Sequence, residues 1–530
     1  MKKLLLFLLL CGILAVAAAQ SGLTYKMSAS DMERMERAVQ AYNKGRYRQS
    51  IDLLHQLERL YPNNPDIYFH LGLNAVKRNY NASGIRRYFT KVIQLAPTYP
   101  DAVAHFYMGV IHYTDNQFDQ AVDDFNRYFS LANSQGTPES DALYMEASNY
   151  LYWSQFLAEA YRNIAPYHPR VVAGVSSTDD ELLPFFSHDG TQCYFLRYAS
   201  VASPTTIHNR ELETKELKLF SSIRRDTAFL PARILPPPFN QGDPEGSVSL
   251  TADNQELFYS VIRRFRGYNN SDIYHSRFDG SRWSPIANLG DSVNGPDCWD
   301  SQPSISPDGN TLYFASNRKG GLGGTDIWRC RRKADGSWGR PVNLGSAVNT
   351  PGNEKCPFIH ADGHTLFFAS DGWQGFGGSD IYFTNLDCDT LTRPVNLGLP
   401  FNTEEDDITL GVFPDGVHAY CAGRTDSADR IGGSDVLTFE LYPAARPEAM
   451  TLVHRQVSAP DGSPLQATVT VHHGSPTDMT YPTDSQGRFV ILISLQRANR
   501  VTLSAPGHRT AVLTGTQLNQ TPLTITLQRQ

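Results

Sequence analysis

The sequence predicts a multidomain α plus β protein: an N-terminal α-helical solenoid, a central β-propeller and a C-terminal β-sandwich. Three observations lead to this fold class. Residues 31–135 carry helical apolar spacing that repeats about every 35 residues. Residues 166–443 repeat short strand-and-turn units at a fixed period, and residues 444–530 alternate short apolar strands with turn residues. Internal repeats of different periods indicate separate modules within one chain.

The first residues have the pattern of an export signal. A basic start and an apolar run from Leu4 to Val16 precede small residues that end at Ala19. This arrangement is typical of a signal peptide, here residues 1–19. Cys11 offers the alternative of an acylated lipoprotein, but Leu10 stands where that signal has a small residue. We therefore expect cleavage after Ala19 and export to the periplasm.

Composition narrows the range of functions. The net charge of −7 becomes −9 once Lys2 and Lys3 leave with the signal peptide, so we expect no nucleic-acid partner. No second apolar run is long enough to cross a bilayer, which predicts no direct membrane span. Six cysteines remain after cleavage and none forms a CxxC pair. We expect buried thiols with at most one disulfide, and no zinc site.

Helical repeats with a capping helix are predicted over residues 20–165. Small and aromatic residues recur at matching positions of three helix pairs, because small residues let paired helices approach closely. The markers are Ala38, Ala41, Tyr47, Leu54 and Pro62, then Tyr68, Gly72, Ala75, Tyr88 and Pro97, then Gly109, Phe118, Ala121 and Phe125. The pattern resembles the tetratricopeptide repeat (TPR) family, although the third pair lacks a closing proline. A fourth, aromatic-rich helix near 140–163 would cap the stack, either packed on the next module or facing a partner.

The tetratricopeptide resemblance implies a concave groove that takes a peptide from a partner protein. The alternative is that three short repeats use the groove to pack on their own neighbours. Aligning the helix pairs places seven side chains on the groove, as predicted partner-binding residues: Tyr42, Phe69, Val76, Lys77, Phe106, Val110 and Tyr113.

The strand repeats are clearest between Ser306 and Trp328, where a Pro-Asp-Gly turn, an apolar strand, a glycine-rich loop and an Asp-Ile pair follow one another. Four short strands fit into each unit. The aspartate of the Asp-Ile pair recurs in steps of 54, 54 and 55 residues, at Asp272, Asp326, Asp380 and Asp435. The repeats resemble the TolB-type, WD40-like β-propeller family. That resemblance implies five blades over 166–443, with six as the alternative.

Repetition argues for structural roles within these units. An acid that occurs once per unit is expected to cap a turn or pair with a nearby arginine, not to bind a metal. The glycine-rich loops lie between strands, so we interpret them as turns that exploit glycine's positive φ, not as phosphate cradles. One loop differs and fits a protein contact, with a solvated loop as the alternative. Its residues are Arg263, Arg264, Phe265, Arg266 and Tyr268.

The last segment, 444–530, carries turn signals such as Asp461-Gly462 and Gln486-Gly487 between short alternating strands. It resembles the carboxypeptidase regulatory-like domain, a transthyretin-type sandwich that is not itself catalytic. The order of the three modules resembles periplasmic scaffold proteins of the type IX secretion system of Bacteroidota. Those proteins continue into an OmpA-like domain for which this sequence shows no segment, so we expect no direct peptidoglycan contact.

The sequence therefore favours a non-catalytic scaffold or adaptor of the cell envelope, associated with the outer membrane, whose partners are outer-membrane or secretion-system proteins. No GxSxG, HExxH, P-loop or metal-ligand spacing occurs, so we predict no catalytic residues, no cofactor and no metal. Two alternatives stay open at this point. One is an exported hydrolase or ligand-binding protein that uses the propeller funnel, and the other is a secreted cargo with a C-terminal sorting sandwich.

Overall fold

The computed structural model describes residues 27–530 except 79–81, 98, 100, 140, 208–209, 243–244, 266–267, 387–392, 426–427, 473–477, 498 and 521–523. The predicted signal peptide and Cys11 lie outside the described residues. The chain divides into two compact units, residues 1–164 and 165–530. Within the described ranges, every helix falls short of the length and apolar character that a bilayer crossing requires.

The described part of the first unit is all helical. Its helices are α1 (Ala29–Asn43), α2 (Tyr47–Leu60), α3 (Pro65–Lys77), α4 (Ala82–Leu95), α5 (Val103–Thr114), α6 (Phe118–Ser134) and α7 (Ala142–Arg162). The pairs α1–α2, α3–α4 and α5–α6 pack together, and α7 packs on α6. The predicted helical N-terminal region is confirmed.

Glycine at the helix crossings explains how closely the pairs pack. A methyl group placed on Gly72 would lie 2.7 Å from the ring of Phe89, and one on Gly109 would lie 2.8 Å from Phe125. Both rings are fully buried. The apolar cores of the second and third pairs therefore depend on a residue without a side chain at each crossing.

The second unit is rich in strands. It opens with β1 (Arg170–Val171), and its first sheet contains β2 (Glu181–Phe186), β3 (Gln192–Ile207), β4 (Arg210–Arg225), β5 (Ala228–Phe229) and β6 (Arg233–Ile234). The second sheet contains β7 (Glu245–Leu250), β8 (Glu256–Phe265), β9 (Tyr268–Arg277) and β10 (Ala287–Asn288). The third contains β11 (Asp300–Ile305), β12 (Thr311–Ser316), β13 (Asp326–Arg331) and β14 (Val342–Asn343). The fourth contains β15 (Glu354–Ile359), β16 (Thr365–Ser370), β17 (Asp380–Asn385) and β18 (Val395–Asn396). The fifth contains β19 (Gly411–Val412), β20 (His418–Gly423) and β21 (Asp435–Glu440), with β1 paired to β21.

The five sheets contact one another in a closed series. The first strands β2, β7, β11 and β15 contact in turn, and β2 also contacts β20 and β21 of the fifth sheet. Equivalent backbone hydrogen bonds join neighbouring sheets: Glu354 N to Thr325 O (2.7 Å), Asp407 N to Ser379 O (2.7 Å) and Glu181 N to Ser434 O (2.9 Å). Since the last of these joins the fifth sheet to the first, the series closes on itself. We call it the five-sheet ring.

The remaining strands form the C-terminal module, which follows a 3-10 turn at Pro443–Ala445. One sheet has the order β25-β22-β28 and the other β24-β23-β26-β27. The strands are β22 (Met450–Ser458), β23 (Thr468–His472), β24 (Met479–Pro482), β25 (Arg488–Ser494), β26 (Arg500–Ser504), β27 (Ala511–Thr514) and β28 (Thr524–Thr526), with helix α8 (Gly515–Gln520) before β28. Both sheets contribute to one apolar core.

The C-terminal module lies on the ring and forms one compact unit with it. Thr480 N donates to Asp308 Oδ2 at 3.1 Å, and Met450 N donates to Pro414 O at 2.7 Å. Ala252 and Ala361, from turns of the second and fourth sheets, belong to the module's own apolar core. Turns of four sheets therefore meet the module at the end of the ring where first and second strands are joined.

Candidate partner-binding site

The predicted groove lies on the first helix of each pair. Tyr42, Val76 and Tyr113 occupy the second-to-last positions of α1, α3 and α5, and all three are partly buried. Lys77, the last residue of α3, is exposed. Val110 is partly buried beside Tyr113 in the same apolar cluster. These five predicted residues keep surface that a partner can contact.

Phe69 and Phe106 are corrections to the prediction, because both are core residues. Phe69 is 3% exposed, with the ring of Tyr99 centred 5.2 Å from its own. Phe106 is 1% exposed and lies 5.9 Å from Tyr128, measured between ring centroids. Aligning the repeats predicts where a residue lies on its helix. It does not predict which aromatic rings of later segments cover that residue.

Tyr107 and Glu146, which the alignment did not single out, are partly buried, whereas Tyr150 is a core residue at 7% exposed. Tyr107 of α5 is partly buried and bridges the apolar clusters of the first and second halves of the helical unit. Tyr150 of α7 stacks on Phe125 with a ring separation of 5.5 Å. Glu146 lies one turn before Tyr150. The sequence signal for Glu146 is an acid within the apolar stripe that Ala147 and Tyr150 define.

The groove is aromatic and weakly solvated. Burial raises the pKa of Tyr42 and of Tyr150 to about 12. Burial first, and then the nearby Tyr42 and Glu146, raises the pKa of the Tyr107 phenol. Burial also raises the pKa of Glu146 itself. Side chains of α1, α5 and α7 therefore lie within electrostatic range of one another.

Two clefts of about 620 and 650 Å³ lie elsewhere on the helical unit. The first is lined by Arg86, Arg87 and Lys91 of α4, and the second by Arg46 and Arg48 before and within α2. None of the predicted groove residues lines either cleft. Both are shallow basic surfaces on the second helices of the pairs, whereas the groove belongs to the first helices.

The second predicted contact surface, Arg263 to Tyr268, is not a loop in its described part. Arg263, Arg264 and Phe265 end β8, and Tyr268 begins β9, with Arg263 paired to Asn270. Arg266 lies outside the described residues. Strand pairing therefore corrects the description of these four residues as a loop, and their contact with a partner stays a prediction.

Long hairpins distinguish the first two sheets. The strands β3 and β4 have 16 residues each and β8 and β9 have 10, whereas the second and third strands of the other sheets have six. The extensions lie at the end of the ring opposite the C-terminal module, because successive turns of an antiparallel sheet alternate ends. The sequence marks these hairpins only by the absence of the glycine-rich loop.

Three of the four once-per-unit acids cap turns, as predicted, and Asp272 accepts from a side chain instead. Asp326 accepts hydrogen bonds from Leu322 N at 2.6 Å and Gly323 N at 3.0 Å, both within the glycine-rich loop. Asp380 and Asp435 accept equivalent bonds, and Asp272 accepts from Asn288 at 2.9 Å. The alternative role, pairing with a nearby arginine, is not the one seen at Arg318, which pairs with Asp300 instead.

Glycine is needed in these loops for two reasons, and only the first, a positive φ, was predicted. Gly320 has a φ of +94°, which favours glycine. At Gly323 the reason is close approach, because an added methyl group would lie 2.2 Å from the carbonyl oxygen of Gly352 in the next sheet. The loops are therefore contact points between sheets.

A second set of acids recurs at the start of the first strands, or in the fifth sheet four residues before it, and was missed from the sequence. Its members are Glu181, Glu245, Asp300, Glu354 and Asp407, in steps of 64, 55, 54 and 53 residues. Glu181 pairs with Arg197 at 2.8 Å, and Glu354 accepts from Ser370 at 2.7 Å. Glu245 is different: its Oε2 has no hydrogen-bond partner among the described residues.

One aromatic side chain lies close to the axis of the ring. Phe358, from β15 of the fourth sheet, packs against apolar clusters of the first and second sheets, the fourth and fifth, and the fifth and first. A side chain in contact with all three clusters crosses the axis. Nearby, His360 and Asp362 are fully buried below the C-terminal module. Phe358 is itself partly buried, so it keeps some solvent-accessible surface at the centre of the ring.

No described group of three or more His, Cys, Asp or Glu side chains is arranged to hold a metal ion. The five described cysteines are free thiols, and burial raises the pKa of Cys330 and Cys356 to about 12. Cys388 lies outside the described residues. Thiols with raised pKa values are poor nucleophiles, so they carry no candidate chemistry.

No family model matches the chain, and no curated protein matches it. Solved structures give weak likenesses. The first tetratricopeptide domain of Spaghetti (RPAP3) bound to an HSP90 peptide is 15% identical, covering 26% of this chain and 99% of that one, with a TM-score of 0.21. A luciferin-regenerating enzyme is 11% identical over 54% of this chain and 98% of its own, with a TM-score of 0.31. The Bombyx mori β-fructofuranosidase BmSUC1 is 11% identical over 71% and 92%, with a TM-score of 0.32. At these scores the likenesses support no inference about activity.

Proposed function

We propose that this protein is a non-catalytic adaptor of the bacterial cell envelope. In this proposal the helix pairs are tetratricopeptide repeats that bind a partner, the five-sheet ring is a five-bladed β-propeller, and the C-terminal module is a transthyretin-type sandwich. The observation that carries the proposal is a contrast. The helical unit keeps a half-buried aromatic groove with available surface, whereas the centre of the ring is occupied by Phe358.

The position of Phe358 near the axis argues against a wide, polar active-site funnel inside the ring. Enzymes built on such rings need converging polar groups in an accessible cavity. Here Glu181 is engaged by Arg197 and Glu354 by Ser370, while Glu245 accepts from the backbone N–H of Asn240 and is 4% exposed. A buried carboxylate without access to substrate has no part in catalysis.

The ring and the C-terminal module would act as a rigid support. Their contact combines backbone hydrogen bonds with buried alanines at Ala252 and Ala361. A support that holds a binding groove at a fixed place in the envelope raises the effective concentration of the bound partner near other components. The predicted signal peptide supports a periplasmic location for this role. The module order favours outer-membrane components of type IX secretion as partners.

Site-specific photo-crosslinking tests the proposal in cells of the source bacterium. A benzophenone amino acid replaces Tyr42 or Tyr113 in the groove, or Gln94 on the outer helix α4 as a control. We expect crosslinks to a defined envelope protein from the two groove positions and not from Gln94.

Two outcomes would contradict the adaptor. One is the same crosslinked products from Gln94 as from Tyr42 and Tyr113, which would mean that the groove is not the binding surface. The other is turnover of a glycoside or ester substrate by the purified protein that is abolished by Glu245→Gln, which would place an active site in the ring.

A further inference from the structure

We propose that Thr502 of the C-terminal module is a nucleophilic hydroxyl that takes one acyl group from an activated ester, with His472 as its base and Asp478 as the residue that orients His472. The inference goes beyond the proposed function and does not rest on it, because the site lies on the C-terminal module and is modified once without turning over. We call the three residues the Thr-His-Asp site.

Two hydrogen bonds join the Thr-His-Asp site in a line. His472 Nδ1 lies 2.5 Å from Asp478 Oδ2, and His472 Nε2 lies 2.9 Å from Thr502 Oγ1. A carboxylate only accepts hydrogen bonds, so in the neutral imidazole the proton lies on Nδ1 and the lone pair on Nε2. The Thr502 hydroxyl then donates to Nε2. In this arrangement the hydroxyl can transfer its proton to the imidazole as its oxygen attacks an electrophile.

Strand pairing holds the hydroxyl and the imidazole on one face of the sheet. Thr502 lies in β26, where it pairs with Thr470 of β23 on one side and with Val512 of β27 on the other. His472 follows Thr470 by two residues on β23, and side chains two residues apart on a strand share a face. The contact between Thr502 and His472 is therefore fixed by the register of regular strands.

The face that carries the site is open to solvent. Val501 and Leu503, on either side of Thr502 along β26, belong to the apolar core of the module, so Thr502 points away from that core. The side chains of the histidine and the aspartate are 32% and 40% exposed. Val512, which pairs with Thr502, is 51% exposed. A small ester can therefore reach the hydroxyl from solvent, with the valine in contact with its acyl chain.

Two neighbouring threonines provide a comparison within the same sheet. The hydroxyls of Thr470 and Thr480 lie 3.4 Å apart and bond to each other. Within the described ranges, neither hydroxyl has a hydrogen bond to an imidazole. A hydroxyl without a base to take its proton is a weak nucleophile. We therefore expect Thr502 to react where Thr470 and Thr480 do not.

The reaction needs only the ester and these side chains. Thr502 Oγ1 attacks the carbonyl carbon of the ester, and its proton passes to His472 Nε2. The bond between that carbon and the leaving alcohol breaks, and the same proton passes to the departing oxygen. The products are a threonine ester and a free alcohol. Arg500, which is exposed and pairs with His472, adds a positive charge to the same face, where it favours the negatively charged intermediate.

Brief incubation of the full-length protein with p-nitrophenyl acetate, followed by peptide mapping by mass spectrometry, tests the inference. We expect an acetyl ester at Thr502 in the wild type, and also at this position in Thr502→Ser, which keeps a hydroxyl. His472→Ala should slow this acetylation by about 100-fold, because the hydroxyl loses its base. Asp478→Asn should slow it by a smaller factor, because the imidazole loses its orientation. His454→Ala, at an exposed histidine of β22, is the control and should react like the wild type.

Three results would overturn the inference and leave the proposed function standing: acetylation of lysines alone, equal acetylation of Thr470, Thr480 and Thr502, or acetylation of Thr502 that is unchanged in His472→Ala. Release of p-nitrophenol beyond one equivalent that depends on Thr502 would show turnover, and would overturn both the single modification and the non-catalytic adaptor. Circular dichroism of each variant confirms that loss of acetylation is not loss of fold.

Discussion

The buried acids of the ring differ in which groups compensate their charge. The acids that begin the first strands are nearly all engaged, Glu181 by Arg197 and Asp300 by Arg318. Glu245 has only the backbone N–H of Asn240, at 2.7 Å from its Oε1. Since its second oxygen has no partner, burial raises the pKa of Glu245 to about 7. This carboxyl group is therefore a weak point of the ring above neutral pH.

Glu245→Gln should stabilise the protein at alkaline pH. The folded state keeps the proton up to about pH 7, while the unfolded chain loses it near 4.5, so wild-type stability falls as pH rises through this interval. Glutamine cannot ionise, so the variant does not lose stability over this pH interval. We expect the free energy of unfolding at pH 8 to rise by on the order of 1–3 kcal/mol, with no gain at pH 4.5, as measured by urea denaturation.

The matched control for that measurement is Glu440→Gln, an exposed acid of the fifth sheet. It should change stability little at either pH, because its partner is Arg446, in a solvent-exposed ion pair at 3.6 Å, and such pairs contribute little. An equal gain from Glu245→Gln at both pH values would show that the effect is not ionisation of this group.

The core assignment of Phe69 also has a direct test. Phe69→Ala should lower the free energy of unfolding of the helical unit by about 3–5 kcal/mol, because a buried ring leaves a cavity. Lys77→Ala, at an exposed groove position, should change it by less than about 0.5 kcal/mol. Thermal denaturation followed by circular dichroism compares the two, and similar losses would mean that Phe69 is not a core residue.

At the scale of elements, repetition made much of the fold predictable. The helix pairs follow from small residues at a regular spacing, and glycine at Gly72 and Gly109 has the predicted packing reason. The turn-capping role of Asp326 follows from its recurrence in the other units. Groove residues were less predictable, because Phe69 is buried by Tyr99, which lies outside its own helix. Contacts between elements that are distant in sequence are not marked by the repeat pattern.

The hairpins of the first two sheets are a second feature that the repeat pattern does not predict. Nothing in the repeat marks where β3 and β4 extend, because the extension has no counterpart in the other units. Glu146 was missed for a related reason, since α7 stands outside the three aligned pairs. Residues that do not follow the repeat pattern cannot be found by aligning the repeats, and they supply the most specific features of the candidate site.

Gly323→Ala tests whether glycine in the loops serves contact between sheets. The added methyl group would meet the backbone of Gly352 at 2.2 Å, so the two sheets must separate slightly. We expect a loss of about 1–3 kcal/mol in unfolding free energy. Gly423→Ala is the control, since its nearest neighbour would be a side-chain atom at 3.8 Å, and it should be tolerated. Denaturant titration measures both, and equal effects would contradict the contact role.

At the scale of the second unit, closure of the ring and coverage by the C-terminal module act together. The strand β1 pairs with β21, so a segment before the first sheet completes the last one. The module then contacts turns of four sheets, among them Pro414 and Asp308. Each contact joins parts of the chain that are far apart in sequence, which makes cooperative unfolding the physical expectation.

Ala361→Glu should uncouple the C-terminal module from the ring. Ala361 is 1% exposed and lies in the module's core although it belongs to the fourth sheet, so a carboxylate there would be buried without a partner. We expect the single calorimetric transition of residues 165–530 to split in two, with a loss on the order of 2–4 kcal/mol at the interface. Ala334→Glu, at an exposed position of the third repeat, should keep one transition. If the variant kept one transition, or wild type already showed two for this unit, the ring and the module would not be the single rigid support that the adaptor requires.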